Sequence, residues 1–345
     1  MKGSLSNLKT VVILVTMDCN CSCDHCFYFQ RNPNHAPIDP DLIDDALESI
    51  SGQHNLSTVH FAGGEPFYHY DVIVECIKRC KKHGIDYFSI STNGAWADDV
   101  EVVRQKLDRL RELGVNSIGV SADSFHQKTI PLENVLNILK TETPGVGRSM
   151  GEMSFSTYAI ATYLGYQSYD CKFNRQTQDI VQKIYDSGYY AFSTVAGAHG
   201  RTNFIMPEEL RVNKRLDRKC WEFNIGVLRP KCPDSILIDP QGFVDGCFGV
   251  SLGNLYKESM SEIFTRYFSD PNPIISALHE KGALGLKELA VERGFEPDPA
   301  YYDECHLCHA ARNYLREHCS EEFGEYLAPD TCYPPATDHT GHQVK

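Results

Sequence analysis

The sequence predicts an α/β fold in which six strand–helix units form a partial (β/α)6 barrel and a smaller cysteine-rich region follows. Two observations support this prediction. From Lys9 to about Ala196, short β-branched runs alternate with segments of helical period, which is typical of βα units around a parallel sheet. After about Gly200 the alternation ends, and seven of the 14 cysteines lie between Cys220 and Cys332. The predicted divisions are a barrel over residues 1–200, a cysteine-rich domain over 201–333 and a disordered tail over 334–345.

Six runs rich in β-branched and aromatic residues predict the barrel strands. They are Thr10–Thr16, Thr58–Phe61, Tyr87–Ser91, Ser117–Ser121, Met153–Thr162 and Tyr189–Thr194. Between them, apolar residues recur three and four positions apart, as in helices that bury one face. One such stripe contains Cys76 and Cys80, so we interpret these two cysteines as packing residues and not as ligands.

The second half of the chain has a different pattern. Ile236–Ile238 and Phe243–Val244 predict a short hairpin, because the residues between them, Asp-Pro-Gln-Gly, favour a turn. Three stretches of helical period follow this hairpin. They lie around Ser259–Phe268, Pro273–His279 and His306–Glu317.

Composition excludes several classes of function. With 33 basic and 46 acidic residues, the net charge of −13 disfavours sequence-independent binding to nucleic acid or to an anionic membrane. The apolar run Val11–Val15 is far shorter than the roughly 18 residues that span a bilayer, and it lacks the flanks of a signal peptide. We expect a cytoplasmic protein, in which 14 cysteines indicate metal ligation and not disulfides.

A cysteine-rich segment, Met17–Tyr28, directly follows the first predicted strand, at the end where α/β enzymes place their sites. Cys19, Cys23 and Cys26 have the spacing CxxxCxxC and could hold three irons of a [4Fe–4S] cluster, which leaves the fourth iron open. Cys21 allows a second interpretation, because Cys21, Cys23 and Cys26 form a CxC-containing set suited to zinc.

The CxxxCxxC spacing, with an aromatic residue after the third cysteine, resembles the radical S-adenosylmethionine (SAM) superfamily. The resemblance covers at least residues 9–200. It implies that Cys19, Cys23 and Cys26 hold a [4Fe–4S] cluster, that SAM binds the open iron, and that the partial barrel is the one this superfamily uses.

Three further segments at predicted strand ends match SAM-binding positions of the superfamily. They are Gly63-Gly64-Glu65-Pro66, the pair Ser91 and Asn93, and the pair Ser121 and Asp123. Such a GGEP segment contacts the methionine amino group of SAM, since glycines allow close approach and a carboxylate accepts hydrogen bonds. Arg201, in a glycine-rich turn after the sixth strand, could pair with a carboxylate. Ordinary turns and helix caps are the alternative interpretations.

The cysteine-rich half contains a second set of candidate ligands. Cys232 is followed by nine residues, Gly242, four residues and Cys247, and later by the CxxC pair Cys305 and Cys308. This arrangement resembles the SPASM or twitch extension, which implies an auxiliary [4Fe–4S] cluster bound by these four cysteines. A structural zinc is the alternative. Ten residues separate Cys308 from Cys319, where the full SPASM pattern has closer cysteines, so one cluster or two remains open.

The resemblance implies reductive cleavage of SAM to a 5′-deoxyadenosyl radical that removes hydrogen from a substrate. The extension is common in enzymes that modify ribosomally made peptides, so we predict epimerisation, cross-linking or oxidation of a peptide. Cys220, Cys319 and Cys332 are candidate hydrogen-donor thiols. A flavodoxin or ferredoxin would donate electrons.

Fewer than ten residues precede the first strand, so we expect no separate N-terminal domain for a leader peptide. Two other functions fit the same sequence. One is radical SAM oxidation of a small molecule such as an amino sugar, and the other is a non-catalytic iron–sulfur or zinc protein.

Overall fold

The computed structural model describes residues 5–29, 36–53, 55–141, 155–212, 216–223, 228–230 and 233–335. Cys232, Met153 and residues 336–345 of the predicted tail therefore lie outside the described residues. The strands are β1 (Thr10–Thr16), β2 (Thr58–Gly63), β3 (Tyr87–Thr92), β4 (Val115–Ser121), β5 (Ser156–Tyr163), β6 (Ala191–Val195), β7 (Ser235–Ile238), β8 (Phe243–Cys247) and β9 (Val250–Asn254).

Helices alternate with the first six strands and dominate the last quarter of the chain. They are α1 (Pro40–Ser49), α2 (Tyr70–Lys82), α3 (Val100–Glu112), α4 (Leu132–Lys140), α5 (Lys172–Asp186), α6 (Cys220–Phe223), α7 (Met260–Ser269), α8 (Pro273–Lys281), α9 (Ala283–Val291), α10 (Glu304–His318) and α11 (Ser320–Phe323). Short 3-10 helices cover Leu5–Asn7, Pro66–His69, Gly200–Phe204, Glu208–Leu210 and Asp330–Cys332.

The predicted α/β class with a parallel sheet is confirmed. All nine strands form one sheet in the order β6-β5-β4-β3-β2-β1-β7-β8-β9, and the pairs from β6 to β7 are parallel. The predicted hairpin is the antiparallel pair β7 and β8, which β9 extends. Strand β7 also pairs with β1, so the cysteine-rich half continues the sheet of the barrel half.

Helix starts follow local capping rules. Asp39, Asp99 and Asp303 accept backbone hydrogen bonds at the first turns of α1, α3 and α10. Ser259 and Glu262 form a capping box at α7. The apolar faces of α1 to α4 belong to the main core, where Cys76 and Cys80 are fully buried among aliphatic side chains.

The parallel order brings the carboxyl ends of β1 to β6 to one edge of the sheet. The segments that leave these strands, including the cysteine segment after β1, therefore meet there. In the part of the chain that the structure describes, helices are too short or too polar to span a lipid bilayer.

Candidate functional site

A cavity of about 430 Å³ opens at this edge. The cysteine segment after β1 forms one wall, and the ends of β2 to β6 form the rest. Nine of the residues predicted from sequence line it, namely Cys19, Cys23, Cys26, Gly63, Gly64, Ser91, Asn93, Ser121 and Arg201. Glu65 and Asp123 are buried behind this wall. Pro66 is also buried, at the start of a 3-10 helix.

The cysteine thiols of this loop lie next to one another. The backbone N–H of Cys21 points to the Cys19 Sγ at 3.3 Å, and the Asn93 amide nitrogen lies 3.5 Å from the same sulfur. A hydrogen bond with Cys21, together with burial, raises the pKa of Cys19, and burial raises that of Cys26. These thiols are therefore protonated without a metal, and binding a metal would release their protons.

Glu65 holds the Asn93 loop in place. Its Oε1 accepts hydrogen bonds from the Phe67 backbone at 3.0 Å and the Thr92 hydroxyl at 2.7 Å, while Oε2 accepts from the Asn93 backbone at 2.7 Å. Burial raises the pKa of Glu65 to about 7. In this arrangement the carboxyl group links the ends of β2 and β3, whereas the sequence suggested an acceptor for a ligand ammonium.

Gly63 and Gly64 are required by the cysteine loop itself. A Cβ at Gly63 would lie 2.3 Å from the Thr16 carbonyl oxygen, and a Cβ at Gly64 would lie 2.0 Å from that of Asp18. The Gly64 N–H donates to the Thr16 carbonyl at 2.7 Å. Close backbone packing therefore fixes the GGEP segment against the base of the cysteine loop.

Two histidines, His25 and His126, border the same cavity, and Asp123 lies buried beside them. His126 Nδ1 lies 2.9 Å from Asp123 Oδ1, and one ligand atom from each of His25, Asp123 and His126 lies within 4.8 Å of the others, close enough to hold a metal ion. Burial would raise the pKa of Asp123, but the neighbouring His126 lowers it to about 2. His25 was not singled out from the sequence, although its position between Cys23 and Cys26 placed it on this loop.

Arg201 fastens the cysteine loop from the opposite side. Its guanidinium donates to the Cys23 carbonyl oxygen and to the Ser22 hydroxyl, and its backbone N–H donates to the Cys26 carbonyl at 2.8 Å. Gly200 has φ of +63°, and a Cβ there would lie 2.6 Å from the Phe27 Cα. The turn after β6 therefore packs directly on the loop.

A second group of cysteines lies in the C-terminal half. Cys220, Cys247, Cys305 and Cys308 line a cavity of about 30 Å³ together with apolar residues and the Arg312 guanidinium. Burial raises the pKa of all four thiols, that of Cys247 to about 11. Three of these cysteines were predicted ligands, and Cys220 was a predicted hydrogen donor.

Aromatic rings connect the two cysteine groups. Phe27 follows Cys26 in the chain, Phe248 follows Cys247, and their ring centroids are 4.7 Å apart. His199 stacks on Phe27 at 4.4 Å and on Phe248 at 5.6 Å. These three rings separate the larger cavity from the smaller one.

The candidate donor thiols are not in the wall of the larger cavity, as far as the described residues form it. Cys220 faces the smaller cavity, and Cys319 ends helix α10. Cys332 is buried near Tyr28, whose ring lines the larger cavity. Tyr28 is therefore a neighbour of both Cys332 and the cavity, a position that the sequence pattern did not reveal.

The residues present fit an iron–sulfur cluster and SAM at the larger cavity. Four cysteines of one loop line this cavity, and three of them, Cys19, Cys23 and Cys26, would supply the ligands of a cluster with one open iron. Two buried polar atoms without a partner among the described residues, His25 Nδ1 and Arg201 Nε, belong to the cavity wall and could bind a polar ligand.

Comparisons with known proteins agree with this geometry. The sequence profile of the radical SAM superfamily matches residues 13–146. The putative peptide biosynthesis protein YydG of Bacillus subtilis (strain 168) is 26% identical over 132 residues, which are 38% of this chain and 41% of YydG. The probable GTP 3′,8-cyclase of Pyrococcus horikoshii is 26% identical over 145 residues, 42% of this chain and 43% of the cyclase.

The chain thus matches about two fifths of the length of each of these relatives. The fold extends further. The structure of hexahistidine-tagged anSMEcpe with bound AdoMet superposes with a TM-score of 0.50 at 12% identity, over 92% of this chain and 98% of that one.

Proposed function

Because the sequence profile of the radical SAM superfamily matches residues 13–146, we propose that the chain is an enzyme that cleaves SAM reductively and removes a hydrogen atom from a bound substrate. When bound, the [4Fe–4S] cluster and SAM supply the chemistry of that cleavage, which forms methionine and a 5′-deoxyadenosyl radical. One observation carries the proposal. Cys19, Cys23 and Cys26 share a loop at the wall of a cavity that the ends of five further strands complete.

The protein's own residues would hold these groups in position. Asn93, fixed by Glu65, directs its side-chain amide toward the Cys19 sulfur. Ser91 and Ser121 offer hydroxyl groups to the polar atoms of SAM, and Gly63 and Gly64 allow close approach. Arg201 holds the loop by the Cys23 carbonyl oxygen. These contacts would orient the reacting atoms before the reaction begins.

We propose an auxiliary [4Fe–4S] cluster at the second cysteine group. Its support is the donor set, since Cys220, Cys247, Cys305 and Cys308 surround one small cavity whose other lining residues are mostly apolar, apart from His199, Glu304 and Arg312. Cys220 thereby becomes a candidate ligand, and the sequence-predicted Cys232 remains a second candidate for the same position. Four thiolates would complete the coordination of such a cluster, so this centre would carry electrons and leave SAM binding to the first.

The substrate that we propose is a ribosomally made peptide. The similarity to YydG, a putative peptide biosynthesis protein, supports this class, although it covers 38% of the chain. The observation that favours a small molecule is the comparable similarity to a GTP 3′,8-cyclase. If the reaction is epimerisation, we propose Cys332 as the donor thiol, because it interacts with Tyr28, which lines the larger cavity. A cytoplasmic flavodoxin or ferredoxin would supply the electron.

The test is anaerobic reconstitution with iron and sulfide, reduction in the presence of SAM, and chromatography for 5′-deoxyadenosine. We expect formation of 5′-deoxyadenosine to fall at least about a hundredfold in the variant with Cys19, Cys23 and Cys26 all replaced by Ala, because no open iron remains to bind SAM. Equal formation by this variant would contradict the proposal.

The same assay separates the substrate classes. Small peptides encoded beside the gene, or simple amino sugars, are added one at a time, and the one that raises 5′-deoxyadenosine formation identifies the class. A peptide product made in D2O separates the reactions. Inversion through a thiol donor adds one deuterium per inverted residue, whereas oxidation or cross-linking removes hydrogen.

A further inference from the structure

Arg312 is a buried cation beside the second cysteine group. It lies on α10 one turn after Cys308, and only 3% of it is exposed. Its Nη1 donates a hydrogen bond to the Phe248 carbonyl oxygen at 2.6 Å and lies 3.4 Å from the Tyr333 hydroxyl. Its Nε is buried without a partner in the part of the chain that the structure describes. The guanidinium lines the cavity that the four thiols surround.

Such a position is costly unless an anion compensates it. Arginine stays protonated in proteins, and a buried charge requires a counter-charge. The two hydrogen-bond acceptors of Arg312, a carbonyl and a phenol, are neutral. Nearby groups that can become anionic are the Tyr333 phenol, the Asp245 carboxyl and the thiols of Cys332, Cys308 and Cys247. Among these five groups, only the Cys308 and Cys247 thiols line the same cavity as Arg312. The missing counter-charge is therefore expected in the cysteine-lined cavity.

We propose that Arg312 is a positioning residue that provides the counter-charge of an anionic iron–sulfur cluster bound by Cys220, Cys247, Cys305 and Cys308, and that it raises the reduction potential of that cluster. The inference rests on the auxiliary cluster of the proposed function. Arg312 connects two ligand-bearing segments, because Cys308 shares its helix and the Phe248 carbonyl follows Cys247.

The direction of the effect follows from charge. One-electron reduction adds one negative charge to the cluster and moves no atoms. A fixed positive charge in a buried site beside the ligand sulfurs stabilises the more negative state. Arg312 therefore favours the reduced cluster and suits this centre to accept an electron.

The experiment uses the full chain with Cys19, Cys23 and Cys26 replaced by Ala, so that only the auxiliary cluster remains. Its reduction by dithionite is followed by electron paramagnetic resonance at defined potentials. We expect R312Q to retain its iron and to lower the ratio of reduced to oxidised cluster at least about tenfold at a fixed potential, which is about 59 mV for one electron. R312K, which keeps the charge, should change the ratio by less than about threefold.

The matched control is R316Q. Arg316 lies one turn further along α10, but it pairs with Asp330 and with the Leu327 carbonyl, away from the cavity. This variant should change the ratio by less than about twofold. A shift in R316Q equal to that in R312Q would overturn the proposal, because any loss of charge on the helix would then suffice.

Each remaining outcome for R312Q and R312K either supports or overturns the proposal. If R312Q keeps its iron and its ratio stays within about twofold of the parent, the proposal is wrong. If R312Q loses iron and R312K keeps it, the charge is required and the proposal stands; if both lose iron, charge is not what matters and the proposal fails. A parent protein that binds no iron refutes the auxiliary cluster itself, which is a separate failure.

Discussion

The two cysteine groups of this protein differ in how the chain builds them. Cys19, Cys23 and Cys26 lie on one loop beside a cavity of about 430 Å³ with mixed polar and apolar lining. Cys220, Cys247, Cys305 and Cys308 come from α6, β8 and α10 and surround a cavity of about 30 Å³ with mostly apolar lining. Three thiols at a large cavity leave room for a ligand, whereas four thiols around a small one leave none. The comparison is consistent with the roles proposed above, a reaction centre at the larger cavity and an electron carrier at the smaller one.

The fold nevertheless joins the two groups closely. The first loop follows β1, and β1 pairs with β7, which leads through the hairpin to Cys247 at the end of β8. Phe27, His199 and Phe248 then separate the cavities by stacked rings. We infer that the two centres are neighbours with separate access, so that a substitution in one wall should affect one centre.

The substitution with the largest expected effect on only one of the two cysteine groups is Gly64→Ala. The added methyl group would lie 2.0 Å from the Asp18 carbonyl oxygen, so the cysteine loop has to move. We expect 5′-deoxyadenosine formation to fall at least about a hundredfold, which corresponds to about 2.7 kcal/mol. Iron bound at the auxiliary centre should be unchanged when it is counted in the variant that lacks the first three cysteines.

The matched control for this change is Gly52→Ala. Gly52 also has a positive φ, +71°, but a Cβ there meets no atom within 4 Å. It should cost about 1 kcal/mol in backbone strain and leave 5′-deoxyadenosine formation within about threefold. Loss of auxiliary iron in Gly64→Ala would show that the two centres are not independent.

The difference between the groups also explains what the sequence could predict. Candidate ligands on one loop can be predicted from the spacing of cysteines in the sequence. Strand β1, which precedes that loop, has the predicted bounds, Thr10–Thr16. The contact of Cys220 with Cys247 and Cys308 depends on packing between distant segments, which no local pattern encodes. The pairing of β1 with β7 was missed for the same reason.

The contacts of individual residues at the larger cavity were harder to predict than their positions in its wall. The GGEP segment was identified, but hydrogen bonds to Glu65 come from Thr92, Asn93 and Phe67, which only the folded chain brings together. An acceptor carboxylate looks the same in sequence whether its donors belong to a ligand or to the protein. Spacing therefore predicted residues that share one cavity wall, whereas the hydrogen-bond partners of Glu65 depend on the folded chain.

The second test concerns a buried carboxyl group in the C-terminal half of the chain. Asp239, in the turn from β7 to β8, is 2% exposed, its Oδ2 has no partner among the described residues, and burial raises its pKa to about 7. Between about pH 4 and 7 the folded protein thus keeps a proton that the unfolded chain releases. Its contribution to stability is full below about pH 4 and is lost as pH rises toward 7, by at most about 1.4 kcal/mol per pH unit.

Asp239→Asn removes this titration while preserving shape. We expect the stability of Asp239→Asn relative to the parent, measured by denaturant unfolding of the metal-free protein, to increase from about pH 4 to 7 and then level off. A stability difference that does not change with pH would mean that Asp239 is ionised in the folded protein. The surroundings of Asp239 would then be more hydrated than its burial indicates.

The smallest expected effect compares the two arginines. Each cysteine group has an arginine beside it, Arg201 at the larger cavity and Arg312 at the smaller one. Arg201 donates hydrogen bonds to the Cys23 carbonyl oxygen and to the Ser22 hydroxyl. Arg201→Lys keeps the charge and loses this two-pronged contact, so the KM for SAM should rise about tenfold, or about 1.4 kcal/mol, with kcat changed less than about threefold. The auxiliary potential should not move, because lysine keeps the positive charge and Arg201 lines the larger cavity and not the smaller one. If Arg201→Lys shifts that potential and leaves the KM for SAM unchanged, the division into an open reaction centre and a closed carrier is wrong.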